Sequence, residues 1–248
     1  MTTLLAIETA TAACSAAVWC DGHVTGRFAV IGRGHAERLL PMIREVLTDA
    51  GIAARSLDAL AVTRGPGAFT GLRIGLAAAR GMALALARPC FARTTLEILA
   101  ADGDNGAAGA VARLVVVDSG RRDLYAQVFA ATAVPLTPPT VVAYDGVTRL
   151  VGRVLPPGTA IAVAGHPQGP VVEALAAAGF AAVAEADRVW PRAERLAAVV
   201  ARAWQAGEAP PPQPPSPLYL RAADTGPPIV QPLPPTPSPA AAVGRQRR

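Results

Sequence analysis

The strongest constraint on the fold of this chain is a pattern that it carries twice. Leu4-Leu-Ala-Ile-Glu8 is a short apolar run ending on an acid, and a small polar turn leads from it into a second apolar run at residues 14–19. In the second half Leu114-Val-Val-Val-Asp118 again ends on an acid, and residues 124–129 again follow a small polar turn. A recurring strand, acid, turn and strand implies two related α/β lobes facing each other across a cleft, with Glu8 and Asp118 in corresponding places. The 248 residues suffice for two modest lobes.

Each lobe has further signals. The turn Asp21-Gly22 before residues 24–30 makes the opening strands an antiparallel meander. Residues 35–50 carry Leu39, Leu40, Met42, Ile43, Val46 and Leu47 at helical spacing, with Gly51 as a stop. That apolar arc is wider than one core face needs. A short strand at residues 60–63 leads through the glycine-rich loop 64–71 into a helix at 72–87, with Thr70 as N-cap and Pro89 after its end. This helix is apolar almost all round, and Gly75, Ala79 and Gly81 give it flat patches. Such a helix is expected to be buried on every side, within its domain or against another chain. A short helix at 95–101 follows. The polar, glycine-rich stretch 102–109 marks the boundary between an N-terminal lobe, 1–107, and a C-terminal lobe, 108–208, whose later signals are a strand at 160–163 and helices at 171–178 and 192–206. Of the 24 prolines, 13 fall from Pro210 to Pro239, so residues 209–248 read as a mostly disordered tail in which Pro217-Leu-Tyr-Leu-Arg221 is an island of order.

Composition excludes several chemistries. All 23 basic residues are arginine, so there is no lysine for a Walker phosphate loop, a Schiff base or a serine–lysine pair. The net charge of +5 suggests a nucleic-acid binder until its position is read. Most of it comes from Arg221, Arg245, Arg247 and Arg248 near the end, leaving the lobes close to neutral and poor in aromatics, so no direct RNA-binding module is expected. The start has no basic leader and no window approaches twenty uninterrupted apolar residues, which predicts a cytoplasmic protein. Cys14, Cys20 and Cys90 lie in apolar runs and are expected to be buried, reduced thiols. His23, His35 and His166 form no ligand pair, so no metal site is expected, and no nucleophile elbow supports a peptidase.

Two constellations remain. Arg64-Gly-Pro-Gly-Ala-Phe-Thr-Gly-Leu-Arg73 delivers a strand into a helix start, which suits an anion over Gly67, or else a tight turn that lets the helix approach the sheet. Glu8, Thr9 and Thr11 with Asp118 opposite could hold a magnesium-bound nucleotide phosphate; equally, an acid at a strand end could cap the next turn.

Residues 4–11 and 14–18, His35-Ala-Glu-Arg-Leu-Leu-Pro-Met-Ile43, Leu57-Asp-Ala-Leu-Ala-Val62, the run Gly65-Pro-Gly-Ala-Phe-Thr-Gly-Leu-Arg-Ile-Gly75 and Asp118-Ser-Gly-Arg-Arg-Asp-Leu-Tyr125 resemble the TsaB/YeaZ family. Its members are dimerisation subunits of the bacterial complex that forms threonylcarbamoyladenosine at position 37 of tRNAs reading ANN codons. The resemblance covers roughly residues 1–221. It implies a duplicated α/β fold of the actin, sugar-kinase and Hsp70 group, which is RNase H-like in each lobe. It also implies a heterodimer with the catalytic paralogue TsaD, work alongside the ATPase TsaE, a homodimer when alone, and tRNA contact only through the complex. No cofactor belongs to the chain itself; ATP and Mg are used by the complex. Where the paralogue has a histidine pair, Thr95 and Leu99 stand, and Glu8 occupies a place where the family more usually has Asp. The expected partner interface is His35, Leu39, Met42, Ile43 and Val46 on the first helix with Leu72, Gly75, Leu76, Ala79 and Met82 on the second. The competing expectation is a stand-alone ATP-dependent transferase or kinase of the same fold.

Overall fold

The computed structural model describes residues 2–101 and 109–221. Strands β1 (Thr3–Glu8), β2 (Ala13–Cys20) and β3 (His23–Val30) form the antiparallel meander. Helix α1 (His35–Asp49) returns the chain to β4 (Ala59–Thr63), parallel to β1, and α2 (Phe69–Leu86) returns it to β5 (Cys90–Arg93), parallel to β4. A short helix, α3 (Thr95–Ala100), ends this half. The second half runs β6 (Ala112–Asp118), β7 (Asp123–Ala130), β8 (Thr140–Ala143), α4 (Val147–Gly152), β9 (Ala160–His166), α5 (Gly169–Ala177), β10 (Ala181–Ala184) and α6 (Ala193–Gln205).

The two sheets have the same strand order, β3-β2-β1-β4-β5 and β8-β7-β6-β9-β10. β1 therefore corresponds to β6, and Glu8 and Asp118 are the last residues of the two central strands. Those strands read as continuous apolar runs because both faces of each sheet are covered. Leu5 and Ile7 pack with Leu39, Met42, Val46 and Leu76 of α1 and α2, while Leu4 and Ala6, on the opposite face, pack with Ala197 and Val200 of α6. In the second sheet Leu114 and Val116 meet Val151 and Leu175, and Val115 shares a cluster with Leu96 and Leu99 of α3. The last helix of each half thus lies on the other half's sheet.

That exchange is fastened by buried charge. Arg113 of β6 donates from Nε to Glu185 Oε2 at 2.6 Å and from Nη1 to the Ala100 carbonyl at 2.7 Å, while Arg188 donates to the carbonyls of Leu99 and Ala101. Two guanidiniums so satisfy the carbonyls at the end of α3, where the helix dipole favours cations.

Several expectations need correcting. Helix α2 starts at Phe69, earlier than its apolar pattern indicates, with Ala68 rather than Thr70 as N-cap. Ala87, in the left-handed conformation at φ 52, closes it before Pro89 is reached. Nor is α2 buried all round: Ala77, Gly81, Leu84 and Ala85 are exposed. It is also long and apolar enough to cross a membrane, although one face packs on β4. Strands β5, β8 and β10 and helix α4 carry too few residues for periodicity to reveal them. Cys14 and Cys90 are buried, whereas Cys20 is half-buried at the end of β2; all three are free. The expected lobe boundary lies mostly outside the described residues, as does the expected disorder of 222–248.

Candidate functional site

The glycine-rich loop is shaped by close approach. A Cβ on Gly67 would fall 2.0 Å from the Ala10 carbonyl oxygen, one on Gly71 2.1 Å from that of Thr9, and one on Gly75 2.3 Å from Thr9 Oγ1. Three glycines thus seat the first turns of α2 directly on the turn between β1 and β2. The seat is locked by Ala68 N–H donating to the Ala10 carbonyl at 2.7 Å and by Thr9 Oγ1 donating to the Gly71 carbonyl at 2.8 Å. This geometry accounts for the loop as a tight turn.

Glu8 lies beneath this junction, wholly buried. Its Oε1 accepts from the Ala10 N–H at 2.6 Å and from Thr63 Oγ1 at 3.1 Å, while Oε2 has no hydrogen-bond partner. Burial pushes its pKa from 4.5 up to about 8, against the lowering effect of those two hydrogen bonds. Near neutral pH it is a neutral acid that caps a turn.

Between the lobes lies a cleft of about 690 Å³. Thr11 and His35 line it from the first lobe and Asp118, Ser119 and His166 from the second. The His35 Nε2 meets the carbonyls of Thr11 and Ala13 at 3.0 and 3.1 Å, so Nε2 must carry the proton, and the imidazole pins the β1–β2 turn to α1. The ring of Trp190, another lining residue, stacks on His166 with centroids 5.0 Å apart. Asp118 is exposed and accepts from the Gly120 N–H.

Of the five residues expected to hold a nucleotide phosphate, only Thr11 and Asp118 line the cleft. Glu8 is sealed below the turn, the Thr9 hydroxyl is committed to Gly71, and Gly67 is packed on Ala10. These residues do not fit a magnesium-bound phosphate. Thr95 and Leu99, which the resemblance sets at the two histidine positions, are both buried, and Leu99 lines the cleft.

The expected partner interface also needs correcting. His35, Leu39, Met42, Ile43, Val46, Leu72, Gly75, Leu76 and Ala79 are buried within this chain, and only Met82 is partly exposed. The apolar periodicity that selects them marks the core-facing stripes of α1 and α2. The surface is carried by their neighbours, notably Leu40 at 59% and Leu84 at 85% exposure, with Ala77 and Gly81 along the same outward ridge of α2. Leu40 and Met82 line one shallow groove of about 570 Å³, which joins α1 to the flank of α2 that carries Met82.

Two lobes of one topology, a cleft at the ends of their central strands and exchanged closing helices define a duplicated two-lobed protein of actin-like fold. The family model for TsaD, tRNA N6-adenosine threonylcarbamoyltransferase, matches residues 29–204. The tRNA threonylcarbamoyladenosine biosynthesis protein TsaB of Escherichia coli K12 is 42% identical over 122 residues, 49% of this chain and 52% of that protein. An uncharacterised protein of Mycobacterium tuberculosis H37Rv is 35% identical over 232 residues, 92% of this chain and 95% of the other. The solved structure of YeaZ from Pseudomonas aeruginosa superposes with a TM-score of 0.72 at 34% identity, covering 89% of this chain and all of that one. The chain belongs to the TsaB/YeaZ family. Its match spans about half the length of the E. coli TsaB protein.

Proposed function

We propose that this chain takes part in threonylcarbamoyladenosine biosynthesis as a non-catalytic dimerisation subunit, binding the catalytic paralogue TsaD and stabilising its active form for modification of adenosine 37 in tRNAs reading ANN codons. The observation that carries this reading is the outward ridge of α2. A leucine 85% exposed beside the small residues Ala77 and Gly81, with Leu40 of α1 59% exposed as well, is an unsatisfied apolar surface of the kind that two helices from a partner would cover. Catalysis and the metal then belong to TsaD, ATP and Mg serve the complex through TsaE, and the setting is the cytoplasm. In the absence of TsaD the same ridge would pair with a second copy of this chain. Leu84→Glu and Leu40→Glu test the reading, because both positions face outward. Each is expected to abolish co-elution with TsaD of the same organism while leaving the circular dichroism and melting of the chain unchanged; an intact complex would refute it. A charge at Gly75 is no test, since the new side chain would collide with Thr9 within the chain itself.

The cleft keeps one second reading in view, a stand-alone ATP-dependent transferase or kinase. Calorimetry with Mg-ATP on the isolated chain separates the two: micromolar binding favours the enzyme, and weak or no binding the scaffold.

A further inference from the structure

We infer that residues 217–221 form a latch across the mouth of the interlobe cleft, which holds the two halves at one angle until its ion pair is broken. This stretch takes no part in the α1–α2 surface, yet it is held by contacts to both halves. The segment leading to it is tied to the first half along its length. Trp204, near the end of α6, meets Phe91 of β5 with ring centroids 5.5 Å apart, and Arg93 pairs with Glu208 at 2.5 Å. The Leu218 N–H then donates to the Arg64 carbonyl at 2.7 Å. The Tyr219 ring lies tilted by 32° against Phe69, with centroids 5.5 Å apart, and its hydroxyl accepts from Arg73 Nε at 3.1 Å. Arg73 in turn stands over the Phe69 ring, 3.7 Å from its centre. At Arg221 the chain reaches the second half, where Nη2 pairs with Oδ2 of Asp123 at the start of β7. Ser119 Oγ donates to the other oxygen of that carboxylate at 2.5 Å, so the acceptor is held in place from its own side.

Ala68 of the first half and Ser119 of the second line both the cleft and a hollow of about 360 Å³ walled by residues 218–221. The latch therefore stands at the cleft mouth. The buried fastening lies elsewhere: Arg113, which joins Glu185 and the Ala100 carbonyl, comes five residues before Asp118 on β6, about 17 Å away at the rise of an extended strand. The two connections differ in strength. The Arg113 and Glu185 side chains are 5% and 2% exposed, those of Arg221 and Asp123 29% and 21%. Breaking the first pair leaves a buried charge uncompensated, whereas the second is open to water, screened by salt and broken at small cost. One end is thus fixed by exchanged helices and buried charge, and the cleft end is closed by a weaker tie, which is the arrangement of a hinge with a catch. None of this depends on the proposed function, since the latch belongs to the isolated chain.

The test is the distance across the cleft, measured on the full chain by pulsed electron paramagnetic resonance. Spin labels are attached through Ala36→Cys, at an exposed position of the first half that lines the cleft, and Arg149→Cys, at an exposed position on α4 of the second half. The background carries Cys20→Ser, because Cys20 is half-buried while Cys14 and Cys90 are buried. At low salt one narrow distribution is expected, and Arg221→Ala should add a second, longer population. Raising sodium chloride to about 1 M, where the Debye length falls to about 3 Å, should produce the same longer population without any substitution in the latch and change nothing further in Arg221→Ala. A label pair within the first half, Ala36→Cys with Arg55→Cys, should stay narrow throughout. An unchanged distribution in a folded Arg221→Ala chain would overturn the inference whatever the effect of salt, and if that variant does not fold, an unchanged distribution at high salt would do so. Broadening of the within-half pair by the same treatments would also overturn it, since the first half itself would then have loosened. Either failure leaves the proposed α1–α2 surface standing.

Discussion

At the scale of single residues, Glu8 decides how the β1–β2 turn responds to pH. In the unfolded chain its carboxyl ionises above about pH 4.5, while burial keeps it protonated in the fold up to about 8. Between those values the unfolded chain binds fewer protons than the folded one, so this group's contribution to stability falls as pH rises through the window. Glu8→Gln keeps the shape and removes the titration. Its urea midpoint, relative to the unsubstituted chain, is therefore expected to rise steadily from pH 5 to pH 8, and a constant difference would show that the carboxyl is already ionised in the fold. The acid at the strand end was legible in the sequence, as was the glycine loop. Their roles were not, since the same residues serve a phosphate or a tight turn, and only the 2.0–2.3 Å approach of Gly67, Gly71 and Gly75 to the turn separates the two.

At the scale of elements, length and amphipathicity controlled what the sequence revealed. The strands β1, β2, β6 and β7 and the helices α1 and α6 are long and strongly patterned, and their positions follow from periodicity to within a few residues. Helix α2 was legible as a helix but not as a surface. A nearly all-apolar helix gives no sign of which side faces the core, so the stripe expected to meet a partner proved to be the stripe that packs on β1 and β4. Helix α3 has only six residues and depends on its ends. Thr94 Oγ1 accepts from the Glu97 N–H at 3.0 Å, and Glu97 accepts in return from the Thr94 N–H at 2.6 Å, a complete capping box. Thr94→Ala is expected to lower stability by about 1 kcal/mol in chemical denaturation. No loss would mean that tertiary packing alone holds α3 on the second sheet.

At the scale of the whole molecule, the internal repeat was the most informative part of the sequence, because it predicted paired sheets before any element was placed. It could not predict the exchange of α3 and α6, nor that the expected island of order at residues 217–221 lies against the start of α2, since both depend on contacts between residues far apart in the chain. On the proposed function the exchange matters: each sheet is covered by the other half's helix, with Arg113, Glu185 and Arg188 fastening the junction, while α1 and α2 cover the other face of the first sheet and carry the proposed surface. The central claim is that this surface, and not chemistry in the cleft, is what the protein contributes. It is tested most directly by reconstituting threonylcarbamoyladenosine formation on unmodified tRNA with TsaD and TsaE of the same organism, adding this chain, its Leu84→Glu variant, or neither. The account predicts modification with the unsubstituted chain and none above background with Leu84→Glu or without the chain. Full modification with Leu84→Glu, or in the absence of the chain, would contradict it.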